Sequence, residues 1–107
     1  VAITEDSIIE IVKKYIDELE RNNIRISEAI IFGSQVKGTA REESDIDVAL
    51  VSDDFTGDRF NDCQRIIPLR RKIDSRIEPM PFKPEDFYNG GILAEEIKKT
   101  GKTILKK

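Results

Sequence analysis

Two carboxylates one residue apart, Asp45 and Asp47, stand at the head of an otherwise apolar run, "DIDVALV". Side chains alternate faces along a strand, so both aspartates point one way while Ile46, Val48 and Leu50 point the other. Like charges roughly 7 Å apart on one face repel unless solvent or a cation lies between them. Glu78, in "SRIEPMPF", is a third carboxylate in an extended stretch. If that stretch neighbours the first at about 4.8 Å, the three acids make a site for one or two Mg2+ ions. Upstream, Gly33 lets backbone approach a ligand closely, and Ser34 opens a short helix whose free N–H groups favour an anion. Lys37 and Arg41 add positive charge nearby. A phosphate cradle followed by metal-binding carboxylates is what phosphoryl or nucleotidyl transfer requires, because its catalysis is mostly positioning and charge neutralisation. Plainer roles exist for each residue: Asp45 as a strand-entry residue, Glu78 as a solvated one, Ser34 as a helix cap, Lys37 and Arg41 as surface charges.

The elements that must position these groups follow from periodicity. "TEDSIIEIVKKYIDELERN" carries Ile8, Ile9, Val12, Tyr15, Ile16 and Leu19 at helical spacing. Ser7 with Glu10 fits a capping box, Thr4 is an alternative cap, and Asn22-Asn23 ends the helix. "EAIIF" (28–32) reads as a buried strand, "SQVKG" as about one helical turn, "TAREES" as loop and "DIDVALV" (45–51) as a second strand. "DRFNDCQRIIPLRRKID" reads as a helix with Phe60, Cys63, Ile66 and Ile67 inward, and Pro68 kinks it or starts a new segment. Asp53-Asp54 and Arg70-Arg71-Lys72 read as solvated faces. "SRIEPMPF" is extended, and Pro79 and Pro81 place it near a sheet edge. A turn with a short helix follows in "KPEDFYNGG", then a last helix, "ILAEEIKKTG", and a closing strand or tail, "KTILKK". The order helix, strand, strand, helix, strand, helix indicates an α/β (α+β) fold, a small sheet covered by helices.

Composition narrows the chemistry. A chain of 107 residues has room for one domain, 1–107. One cysteine and no histidine exclude an intrachain disulfide and any soft metal site, so a metal here is a hard cation held by oxygen. A net charge of −3 argues against a general nucleic-acid-binding surface. No apolar run is long enough to span a membrane, no signal pattern opens the chain, and a reducing cytoplasm is the default location.

"GSQVKGTAREESDIDVAL" resembles the signature of the DNA polymerase beta-like nucleotidyltransferase superfamily: Gly-Ser, ten residues, then Asp-x-Asp. In size and layout the chain is similar to the stand-alone minimal nucleotidyltransferases, the MNT-type antitoxins. The resemblance implies a mixed sheet with flanking helices and two Mg2+ ions held by Asp45, Asp47 and Glu78. It assigns Gly33 and Ser34 to the nucleotide phosphates. Gln35 stands where many members have arginine, Lys37 where a second arginine is common, and Glu78 where aspartate is frequent. The implied activity moves a nucleoside monophosphate, AMP from ATP, to a hydroxyl and releases pyrophosphate. With no evident second domain to hold an acceptor, the acceptor is expected on another protein. The resemblance implies a helical HEPN-type toxin as that partner, with this chain as its antitoxin. A catalytically weak module that neutralises its partner by occlusion, and a small-molecule nucleotidyltransferase, are the alternatives. Self-association is left open.

Overall fold

Ile8, Val12, Tyr15, Ile16 and Leu19 recur every three or four residues, and the first helix, α1 (Glu5–Arg21), buries them all. The computed structural model describes residues 5–33 and 45–107. Ser7 lies inside α1 and so does not cap it. The helix stops at Asn23, which takes the left-handed conformation (φ 67°) that asparagine tolerates better than most residues. Asn23 N–H then donates to the Glu20 carbonyl and Ile24 N–H to the Leu19 carbonyl. That pair of bonds is a Schellman closure, and Leu19 and Ile24 make its apolar contact inside the core.

Four strands form one mixed sheet: β1 (Glu28–Phe32), β2 (Ile46–Val51), β3 (Ile77–Phe82) and β4 (Lys102–Lys106), in the order β3-β2-β1-β4. β1 pairs antiparallel with β2 and with β4, while β2 and β3 run parallel. The closing segment is therefore a strand on one edge. β3 holds the other edge, as its prolines require. The Arg76 carbonyl accepts from Ile46 N–H and the Phe82 carbonyl from Ser52 N–H, so even-numbered residues of β3 turn their backbone groups to β2. Ile77, Pro79 and Pro81 turn theirs outward, where a proline breaks no ladder.

The sheet is covered on both faces. Ala29, Ile31, Ile46, Val48, Leu50 and Ile77 pack beneath α1 and the helix α2 (Arg59–Ile66). Tyr15 ties these two helices together by donating its hydroxyl to the Ile66 carbonyl at 2.6 Å. Ile30, Ala49, Val51 and Phe82 pack under Phe87 of α3 (Pro84–Asn89) and under Ala94 and Ile97 of α4 (Ile92–Thr100). Each buried Ile or Leu contributes about 1.5–3 kcal/mol before conformational entropy is charged against it.

α2 turns a different face inward from the one its apolar residues indicate. Phe60 is 70 % exposed, Cys63 and Ile67 are half-buried, and Asp62 is buried with Ile66. The cause lies in the preceding loop. Asp62 accepts from Thr56 N–H, Thr56 Oγ1 and Gly57 N–H at 2.9–3.1 Å, so the loop wraps around its carboxylate. Asp58 caps the helix through Phe60 N–H and Asn61 N–H. Pro68 begins a new segment, a 3-10 helix over Ile67–Lys72. Asp54 is not simply solvated either: it accepts from Arg25 N–H at 2.9 Å.

Candidate active site

On the face covered by α3 and α4 the side chains of three strands form rows. Val51 and Phe82 are register partners, as are Ile30, Ala49 and Met80 in the next row. These two rows are capped by Phe87, Ala94 and Ile97. The third row is Phe32, Asp47 and Glu78. Here the row changes from apolar to acidic, at the end of the face where β1 finishes and β2 and β3 begin. Asp45 precedes β2, two residues before Asp47, and is exposed. β3 neighbours β2, and Glu78 is the register partner of Asp47, while Asp45 precedes the paired residues.

Asp47 is half-buried. Its carboxyl is pushed above the usual range first by desolvation, then by the charges of Asp45 and Glu78. Asp47 therefore feels both of the other acids. Gly33, which ends β1, lies against the same carboxylate. Its φ is +77°, and a Cβ there would overlap Asp47 Oδ2. Glycine is needed at this position for Asp47 as well as for the turn.

The nucleotidyltransferase domain family matches residues 12–102, from the middle of α1 to the start of β4. The chain belongs to this family. Two solved structures share the fold. One is a presumptive nucleotidyltransferase from Sulfolobus solfataricus, with a TM-score of 0.68 and 17 % identity over 94 % of this chain and 81 % of that one. The other is a toxin–antitoxin crystallised with AMP-PNP, with a TM-score of 0.58 and 23 % identity over 89 % of this chain and 73 % of that one. No curated protein matches the sequence significantly.

In this nucleotidyltransferase domain the donor set is all carboxylate, the type a hard cation takes. As the side chains stand, no group of three or more acids among the described residues is close enough to hold an ion. The backbone nonetheless makes Asp47 and Glu78 direct neighbours on adjacent strands. The Glu78 side chain is half exposed and pairs with Arg70 at 3.6 Å. Oxygen donors on adjacent strands fit Mg2+ in type. Ser34, Lys37 and Arg41, read as the phosphate side of the site, lie outside the described residues.

Arg70 is the residue that sequence reasoning missed. It sits in a run of three basic residues that reads as a solvated face. Its reach to Glu78 depends on the 3-10 turn, which no spacing rule announces. Its NH1 also donates to the Ile77 carbonyl at 2.7 Å.

Proposed function

We propose that this nucleotidyltransferase domain moves AMP from ATP to a hydroxyl of a partner protein, and that it is the antitoxin of a toxin pair. One observation carries the reading: Asp47 and Glu78 are register partners at the open end of a sheet face, with Asp45 beside them. The toxin–antitoxin neighbour with AMP-PNP supports a nucleotide ligand and a toxin partner. A helical HEPN-type toxin is the partner we expect, and the cytoplasm is the compartment.

Asp45, Asp47 and Glu78 would hold Mg2+, as two ions in the arrangement we favour. When bound, Mg2+ neutralises the triphosphate and lowers the pKa of the acceptor hydroxyl. Gly33 and Ser34 lie on the phosphate side, with Lys37 and Arg41 adding positive charge. Asp47 and Glu78 flank the acceptor, and either takes its proton. The acceptor oxygen bonds to the α-phosphorus while the bond to pyrophosphate breaks, so one hydroxyl, one ATP and one AMP ester balance.

The ion pair between Glu78 and Arg70 favours a second reading, in which the chain neutralises its partner by occlusion alone. One experiment separates the two. The chain is incubated with its native partner and Mg-ATP, and the partner's intact mass is measured. Gain of one adenylyl group supports transfer. A stable complex with an unmodified partner supports occlusion. Efficient modification of a free small molecule, with the partner untouched, replaces both.

A further inference from the structure

Among the described residues β3 is an edge strand, and no described strand pairs with its outward carbonyl at Ile77. Arg70 fills that place. Its guanidinium is fixed by the 2.7 Å bond to the Ile77 carbonyl, and it lies 3.6 Å from Glu78 Oε1. Arg70 is three-quarters buried on its side chain, whereas Glu78 is half exposed. The cation is thus the more buried and anchored member of the pair and the carboxylate the more exposed one. Asp47 lies on the opposite side of Glu78 from this edge, on β2.

We propose that Arg70 is a positioning residue that parks Glu78 at the outer edge of β3, and that loading a divalent cation requires Glu78 to exchange Arg70 for the ion. This rests on the reading of Asp45, Asp47 and Glu78 as a metal site. One nitrogen carries the hold: Arg70 NH1 donates to the Ile77 carbonyl and faces Glu78 Oε1 at ion-pair distance. A long, part-exposed ion pair is weak enough for a cation to break. The parked position also accounts for why Asp47 and Glu78 are aligned by the backbone yet join no cluster of three acids among the described residues.

The test measures binding of Mn2+ alone, through loss of the free-ion EPR signal, for the wild type, Arg70→Gln, Glu78→Asp and the double variant. Aspartate at 78 keeps a donor but is one methylene too short for Arg70. Arg70→Gln should tighten Mn2+ about two- to fivefold, the range expected for releasing an exposed pair. In the Glu78→Asp background the same change should have little effect. Equal tightening in both backgrounds would mean that Arg70 acts only as a distant charge, and overturns the proposal. So does an unchanged or weaker affinity in Arg70→Gln. If Arg70→Gln does not fold, Arg70→Met takes its place, because it keeps the packed stem and removes the charge, and the same non-additivity is expected. A wild type that binds no Mn2+ removes the metal site itself, a failure distinct from a wild type that binds and ignores Arg70.

Discussion

Asp47 holds a charge that its surroundings resist. Desolvation, Asp45 and Glu78 all raise its proton affinity. A carboxyl whose folded pKa is raised weakens the fold once it ionises, so stability falls as pH rises through 3.8 and is regained as pH drops through the raised value. Asp47→Asn should therefore melt slightly higher than wild type at pH 7 in EDTA, with the advantage disappearing in acid. Scanning calorimetry across pH checks the sign. The same variant should lose more than tenfold in turnover, about 1.4 kcal/mol or more in the barrier. Gly33→Ala should cost about 1–2 kcal/mol, because it combines a left-handed backbone with a clash on Asp47. Urea denaturation would show it, and unaltered stability would contradict the close approach. At this scale the two aspartates were legible because strand alternation is a local rule. The dependence of Gly33 on Asp47 was not, since it joins two strands across a register that no local pattern encodes.

Among the elements, β3 owes its position to what precedes it. Asp74 accepts from Arg76 N–H, from Arg76 Nε and from Arg76 NH2, the last at 2.6 Å, and so shapes the turn into Ile77 and Glu78. The Arg76 guanidinium, followed by its backbone N–H, holds the Asp74 carboxyl below the usual range. A depressed carboxylate pKa contributes stability that is present above 3.8 and lost as pH falls through the folded value. Asp74→Ala should cost about 1–2 kcal/mol at pH 7 and progressively less in acid. Chemical denaturation at pH 7 and at pH 3 makes the comparison; a pH-independent cost would exclude the ion pair as the cause. Helix α2 shows where periodicity failed. Phe60 and Cys63 sit at helical spacing with Ile66, yet the loop's demand for an acceptor turned Asp62 inward instead. A loop's hydrogen-bond requirement leaves no periodic trace.

Over the whole molecule, the order of elements could be read in advance because each strand carried its own turn signals and β3 its prolines, whereas the mixed sheet was implied by the family resemblance. The ties between layers could not be read in advance. Tyr15 looked like one more member of the α1 stripe, but its hydroxyl joins α1 to α2 through the Ile66 carbonyl. Tyr15→Phe keeps the ring and removes this one bond, for a cost of about 1 kcal/mol. The urea midpoint should fall with an unchanged m-value; a shifted m-value would instead point to altered compactness.

The prolines of β3 also decide how copies of this molecule can meet. An unpaired strand edge is a template for another chain, and a sheet with two open edges can add copies without end. Pro79 and Pro81 remove the outward donors from one edge, and Arg70 occupies its Ile77 carbonyl. That leaves β4, whose Lys102 and Lys106 are exposed. Strand-to-strand association through β4 is used up by a single partner, and between identical edges it closes as a two-fold pair. Among the described strands, this route permits a two-fold pair and opposes continued strand addition.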